Sequence, residues 1–406
     1  MLLPSRWMMA PTLRVVAVRA NPFSSSHLIY PTNENHPLVP MRQSGTLAAS
    51  VRRLLWADAM VEGDMSFLRR LDPLARLFHG RSAAPNLISL ESQRHAIVLS
   101  SGTSGAPAKF LQNLLTVDTS SLVDAPRPSN GRAMYSHMLN SKGRFAHDVV
   151  VFGLGHEAAG MGAGGKAAGD VLVLDVARES KDALVRLLRM YSMRIDVKIE
   201  DGSDSFVVCA SLNGDMEGGS FAAFCEDPRV PSLGYRGIIR RDGDVGASSG
   251  GDSFLEGLPR SDEDVRASYT KLRLSLGVAE GPREIPAGSV SLEYNLDGLN
   301  GISFNKGCYI GQELMARTHY QGQIRKRLVP FHVEGDGVAE YGEAVCDAEG
   351  QPVGVVRADS VDGYGIAMVR LGKAFGSDAG GLRIGSGRAI EAYVPAWWPK
   401  AWVETA

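Results

Sequence analysis

The sequence predicts an α+β fold in several lobes that ends in a small β-barrel. A strand, a helix and a second strand follow one another from Val171 to Ile199, an order typical of a βαβ unit or of a split version of one. After Arg327, short alternating runs are separated by glycine-rich turns, a pattern typical of a small all-β barrel. The chain has 406 residues, enough for two or three domains with their own cores.

The individual elements follow from hydrophobic spacing. Ser104 is predicted to cap a helix that runs to about Leu115, and Ser261 to cap one that stops near Gly277. A third helix is predicted over Lys181–Met193, where apolar residues recur at helical spacing. The predicted strands are Arg94–Leu99, Val149–Phe152, Val171–Val176, Arg194–Ile199 and Phe206–Cys209, and in the barrel Leu328–Val333, Pro352–Val356, Gly365–Val369 and Ala389–Val394.

Charge and cysteine usage exclude several classes of partner. Lys and Arg together number 43 against 45 acidic residues, so no overall field favours nucleic acid or an anionic membrane. No apolar run reaches the roughly 20 residues that span a bilayer. The four cysteines lack the C-x-x-C spacing of a zinc or redox site, and their scatter fits a reducing compartment.

The amino-terminal segment differs from the rest in composition. It contains Arg6, Arg14, Arg19 and several serines, and no acidic residue precedes Glu34. This composition is typical of a mitochondrial transit peptide. A disordered tail without a targeting role is the alternative.

Cys308 lies in the run Asn305-Lys306-Gly307-Cys308-Tyr309-Ile310-Gly311-Gln312-Glu313. A cysteine reacts as its thiolate, which positive charge and backbone donors favour. Lys306 places a positive charge two residues before the cysteine, and Gly307 and Gly311 allow tight turns. A helix is predicted from Gly311 to Tyr320, with its amino-terminal amides facing the sulfur. The alternative is a buried, inert cysteine.

The octad from Lys306 to Glu313, continued by Ala316-Arg317-Thr318, resembles the signature of the YgfZ group. That group belongs to the glycine-cleavage T-protein superfamily of folate-binding proteins. Segments 110–116 and 134–145 are similar to the N-terminal folate-domain segments of the family, and 324–328 to the run that leads into its C-terminal domain.

The resemblance implies a three-lobed folate-binding fold with a C-terminal β-barrel. It also implies a role in late iron–sulfur cluster assembly, as in the mitochondrial branch of the group. The resulting domain plan is a transit peptide over about 1–45, an extension over 46–88, a T-protein-like region over 89–325 with insertions near 153–169 and 240–262, and a barrel over 326–406.

A tetrahydrofolate cavity is the second implied site. A pterin ring needs a carboxylate that accepts its N–H groups, and apolar walls. In T-protein relatives, acids at the equivalents of two segments of this chain, those of Asp148 and Glu293, hold the folate. Aminomethyltransferases have a pair of acids at the first of these segments. Here His147 occupies one of the two places and Asp148 the other. The further folate candidates are Tyr135, Met138, Asn140 and Arg317.

The resemblance, together with the amino-terminal composition, implies an assembly factor of the mitochondrial matrix that serves four-iron client enzymes. Cys308 is expected to act as a transient cluster ligand or functional thiol, supported by Lys306, Gly307, Gly311, Gln312 and Glu313. Since one cysteine cannot hold a cluster alone, further ligands must come from elsewhere, and the resemblance implies an A-type iron–sulfur scaffold as partner. The alternatives are a folate-dependent aminomethyltransferase and an adapter whose cysteine is structural.

Overall fold

The computed structural model describes residues 87–124, 132–154, 171–212, 221–241, 263–376 and 380–404. The predicted transit peptide lies outside the described residues, as do nearly all of the extension and of the two insertions. Strands organise the described part into a four-stranded sheet, a five-stranded sheet and a closed six-stranded barrel.

The five-stranded sheet has the order β3-β4-β5-β2-β6. Its strands are β2 (Arg94–Ser100), β3 (Arg132–Leu139), β4 (Phe145–Leu154), β5 (Val171–Ala177) and β6 (Lys198–Asp201). Strands β5 and β6 both pair with β2 in antiparallel fashion, so they run parallel to each other with β2 between them. Of the two predicted alternatives, the split version of a βαβ unit is the one present, although β6 begins at Lys198 and not at Arg194.

Three helices pack around this sheet. They are α1 (Ala106–Gln112), α2 (Ser121–Asp124) and α3 (Lys181–Tyr191). Helix α1 begins after Gly105, whose φ is 76°, so the predicted cap at Ser104 is one residue early. A left-handed backbone at this point favours glycine because it has no Cβ.

The four-stranded sheet has the order β1-β7-β9-β8. Its strands are β1 (Leu87–Ser89), β7 (Phe206–Ser211), β8 (Phe221–Glu226) and β9 (Tyr235–Arg240). Helix α4 (Glu263–Ser275) follows, and the chain turns at Gly277 with φ of 71°, which confirms the predicted stop. One hydrophobic core includes side chains of both sheets, such as Phe152 of β4 and Ile238 of β9.

A connecting region leads from the sheets to the barrel. It contains α5 (Gly281–Glu284), a 3₁₀ turn over Ser291–Tyr294 and helix α6 (Gln312–Gln321). In the part of the chain that the structure describes, no helix is long and apolar enough to cross a membrane.

The barrel confirms the predicted C-terminal domain. Its strands are β10 (Lys326–Val333), β11 (Ala344–Cys346), β12 (Pro352–Val356), β13 (Tyr364–Arg370), β14 (Leu382–Ile384) and β15 (Ala389–Ala392), with helices α7 (Leu371–Phe375) and α8 (Ala401–Glu404). Arg327 fastens it to the connecting region by donating to both carboxylate oxygens of Asp297 at 2.9 Å. The centroid of the Trp402 ring lies 3.4 Å from the Arg327 guanidinium carbon, so this ring covers the guanidinium where the barrel joins the connecting region.

Candidate functional site

Cys308 is exposed on the loop that leads into helix α6. Cys209 is buried, and Cys225 and Cys346 are half-buried. The exposure of Cys308 excludes the alternative of a buried cysteine. Access to solvent is a precondition for a thiol that contacts another molecule.

Lys306 anchors this loop from the inside. Its buried ammonium donates to the backbone carbonyls of Gln112 at 2.8 Å, Leu115 at 2.8 Å and Val117 at 2.6 Å. Three acceptors use all three N–H bonds of an ammonium. Burial lowers the pKa of Lys306 to about 8, against a smaller opposing effect of Asp118. The side chain therefore holds the loop in place, and its hydrogen bonds are not directed at the thiol.

Backbone hydrogen bonds fix the loop on both sides of the cysteine. Ser303 N donates to Thr116 O at 3.0 Å, and Ile310 N donates to Asn113 O at 3.1 Å. Tyr309 turns inward and packs in an apolar cluster with Leu139, Leu292 and Met315. Cys308 and Gly307 are left exposed between these anchors.

The two glycines of the motif have different roles. Gly311 caps α6 with φ of 81°, and a Cβ there would lie 2.7 Å from the Cα of Gly143 in the β3–β4 turn. A Cβ on Gly307 would meet no atom within 4 Å. Only Gly311 meets the expectation of a tight turn. Helix α6, which bears Gln312, Glu313 and Arg317, is confirmed.

These contacts bring three separate segments of the chain together at the cysteine loop. Segment 110–116 supplies carbonyls to Lys306, and the turn of segment 134–145 packs against Gly311. Both therefore support the cysteine loop, although they lie more than a hundred residues before it.

An aromatic cluster beside the loop was not predicted from the sequence. Phe304 stacks on His319 with 3.7 Å between ring centroids, and Tyr320 packs edge-on against both rings. Tyr320 is 66% exposed. The signal available in the sequence was an aromatic residue four positions before the cysteine and an aromatic pair at the end of the predicted helix.

The predicted folate residues do not meet in one cavity. Tyr135 packs in the core shared by the two sheets, whereas Met138 packs in the core on the other face of the five-stranded sheet. Neighbouring residues of a strand point to opposite faces, so positions three apart cannot face one cavity. The expectation that Tyr135 and Met138 line the same cavity is wrong for this reason.

His147 and Asp148 are separated in the same way. His147 lies opposite Met138, and Asp148 lies opposite His137 on the next register position. Burial lowers the pKa of His147, with Asp148 opposing the effect. Asp148 is buried and pairs with Arg94, whose Nη1 lies 2.7 Å from Asp148 Oδ2. The two residues therefore do not form a side-by-side pair facing one ligand.

The remaining candidates have other surroundings. Asn140 Oδ1 accepts the backbone N–H groups of Lys142 and Arg144 and so closes the β3–β4 turn. Glu293 pairs with Lys326 at 3.2 Å and lines a cleft of about 240 Å³ that Asp148 does not reach. Arg317 is exposed on α6. The residues selected from the sequence do not fit a shared tetrahydrofolate site.

No group of three His, Cys, Asp or Glu side chains in the described ranges is arranged to hold a metal ion. Cys308 supplies a single sulfur. A cluster bound here would need ligands from another molecule.

Comparison with known proteins identifies the family. A family model described as the C-terminal beta-barrel domain of CAF17 matches residues 325–400. The human protein named iron-sulfur cluster assembly factor IBA57, mitochondrial, is 33% identical over 310 residues, which cover 72% of this chain and 80% of the human protein. The chain belongs to the IBA57 family. The mouse IBA57 protein is 33% identical over 297 residues, covering 68% of this chain and 75% of its own.

The match of folds extends beyond the family. A crystal structure of glycine cleavage system aminomethyltransferase T from Bartonella henselae superposes with a TM-score of 0.50 at 15% identity, covering 77% of this chain and 86% of that one. The T-protein-like fold predicted from the motifs is confirmed. The IBA57 relatives likewise confirm the predicted resemblance to iron–sulfur cluster assembly factors.

Proposed function

We propose that this chain is an iron–sulfur cluster assembly factor of mitochondria, and that Cys308 contributes one thiolate to a cluster shared with a partner. Its relatives in the IBA57 family carry the name of mitochondrial assembly factors. The observation that carries the role of the sulfur is its exposure on a loop fixed from within. Thiolates are preferred ligands of iron–sulfur clusters.

The arrangement suits a ligand that must be shared. Three carbonyl contacts hold Lys306, and Ile310 is bonded to Asn113. The loop therefore needs little reorganisation to present its sulfur, which lowers the entropic cost of forming a complex. Because Gly307 has no side chain, a partner can approach the sulfur closely on that side.

The proposed partner is an A-type scaffold protein that carries a cluster. The proposed clients are enzymes that receive four-iron clusters. The exposed rings of His319 and Tyr320 lie beside the loop and offer an aromatic contact surface of the kind that protein interfaces favour. The role needs no step that passes through folate. The proposed compartment is the matrix, in keeping with the acid-poor amino-terminal sequence.

Replacement in cells tests the role of the sulfur. Cells that carry only the Cys308→Ser variant are expected to lose most activity of their four-iron enzymes, while enzymes without clusters keep theirs. Cys346→Ser, in the barrel, is the matched control and should leave all of them active. Full activity of the four-iron enzymes in the Cys308→Ser cells, at equal protein level, would refute the assigned role.

The compartment is tested separately with a reporter fused to residues 1–60. Import into the matrix is expected, with protection from added protease until both membranes are opened. A reporter that stays in the cytosol would contradict the proposed location in the mitochondrial matrix.

A further inference from the structure

Asp148 belongs to a network of buried charges between the two sheets. Arg94 Nη1 pairs with Asp148 at 2.7 Å, and Arg94 Nε pairs with Asp175 at 2.6 Å. The other oxygen of Asp175 pairs with Arg236 Nε at 2.7 Å. The network thus joins strands β2, β4 and β5 of one sheet to β9 of the other.

The network continues to the chain segment before α5. Arg236 Nη1 donates to Glu280 Oε1 at 2.9 Å, and the Tyr269 hydroxyl donates to the same oxygen at 2.8 Å. The Arg229 guanidinium lies 5.7 Å from the centroid of the Tyr135 ring. One face of that aromatic ring is therefore already covered by a cation.

Accessible surface decides whether a ligand fits among these groups. The side chains that line a cavity for a ring keep accessible surface when the ring is absent. Here Tyr135 and Asp148 are each 2% exposed, and Arg236 and Asp175 are 0% exposed. Arg236 Nη2 makes no hydrogen bond, but it too is buried. The side chains fill the space that a pterin would need.

The charge of Asp148 is also already satisfied. Burial raises the pKa of this carboxyl, but the Arg94 guanidinium outweighs the effect, and the pKa lies below its usual range. A pterin that bound Asp148 Oδ2 would have to displace Arg94 from that oxygen. The displaced guanidinium would then be a buried cation with one partner fewer.

We infer that Asp148 is a structural member of a sealed ion network, so that no folate binds between the two sheets. The inference does not depend on the role of Cys308. It separates this chain from folate-dependent aminomethyltransferases, which need a carboxylate at the reacting folate nitrogen.

Calorimetric titration of the purified full chain with 5-formyltetrahydrofolate tests the inference. We expect no saturable binding with a dissociation constant tighter than roughly 1 mM. A known folate enzyme, titrated under the same conditions, is the positive control. If binding occurs, two variants locate it. Glu293→Gln alters the separate cleft, and Asp148→Asn alters the network.

The inference would be overturned if Asp148→Asn raised the dissociation constant tenfold or more while its circular dichroism spectrum stayed unchanged and Glu293→Gln bound normally. Binding that only Glu293→Gln weakens would support it, because the ligand then lies outside the network. If Asp148→Asn fails to fold, photo-crosslinking of an azido-folate to the unaltered chain decides. Labelled peptides from β2 or β4 would overturn the inference, and labels elsewhere or none would support it.

Discussion

The Cys308 loop and the Arg94–Asp148 network use charged side chains in opposite ways. In the loop, one buried cation, Lys306, binds three carbonyls and leaves the neighbouring sulfur exposed. In the network, cations and carboxylates pair with one another and expose almost nothing. The difference shows that a buried cation can hold an exposed loop in place or close a core, depending on whether its partners are carbonyls or carboxylates.

The largest effect is expected from removing a cation of the network. Arg94→Leu leaves Asp148 without its partner and removes one of the two partners of Asp175. A buried carboxylate without a partner is strongly unfavourable, so the free energy of unfolding should fall by about 4 kcal/mol. Chemical denaturation at pH 7 measures this loss.

The double variant Arg94→Leu/Asp148→Asn is the control, since it removes the stranded charge as well. It should recover part of the lost stability. A loss below about 1 kcal/mol in the single variant, the value typical of exposed pairs, would show that the network is open to water.

The next effect is expected from removing the anchor of the loop. Lys306→Met leaves the carbonyls of Gln112, Leu115 and Val117 without their shared donor, which should cost about 3 kcal/mol. Lys142→Met, at an exposed lysine of the β3–β4 turn, should change the stability by less than about 0.5 kcal/mol. Equal effects of the two substitutions on the unfolding midpoint would show that the carbonyl contacts do not anchor the loop.

The glycines of the motif form a matched pair. Gly311→Ala places a Cβ at φ of 81° and 2.7 Å from Gly143, which should cost roughly 2 to 3 kcal/mol from the left-handed backbone and the clash. Gly307→Ala meets no atom within 4 Å and should leave the melting temperature nearly unchanged. If Gly307→Ala were the more damaging of the two, the description of the loop would be wrong.

A smaller effect is expected from acid. Burial lowers the pKa of His137 to about 4, with Asp148 opposing the shift. Between pH 6.5 and pH 4 the unfolded chain binds more protons than the folded chain at this residue. Stability should therefore fall by about 2 kcal/mol from pH 7 to pH 5 on this account.

The variant His137→Asn isolates this contribution. Its amide retains a polar group near Ser291, which contacts His137 Nδ1 at 2.9 Å, and it does not titrate. Its stability should fall less between pH 7 and pH 5 than that of the unaltered chain. Identical pH profiles would mean that His137 is not the group responsible.

Helix α6, the strand–helix–strand order of the βαβ unit and the barrel were predictable from the sequence, because each depends on local spacing. The exposure of Cys308 was not, because local spacing leaves a buried cysteine open as the alternative. Side chains alternate between the two faces of a strand, so the sequence alone places Tyr135 and Met138 on opposite faces. Their separation was therefore predictable as well. The partners of Lys306 and Asp148 were not predictable in this way. They lie about 190 and 54 residues away in the chain, and only the fold brings them together.

The most direct test of the account is to mix the chain anaerobically with a cluster-loaded A-type scaffold and to follow the absorption and electron paramagnetic resonance spectra. The account predicts a new cluster spectrum with the unaltered chain and with Cys346→Ser, and an unchanged scaffold spectrum with Cys308→Ser. The same new spectrum with Cys308→Ser as with the unaltered chain would contradict it.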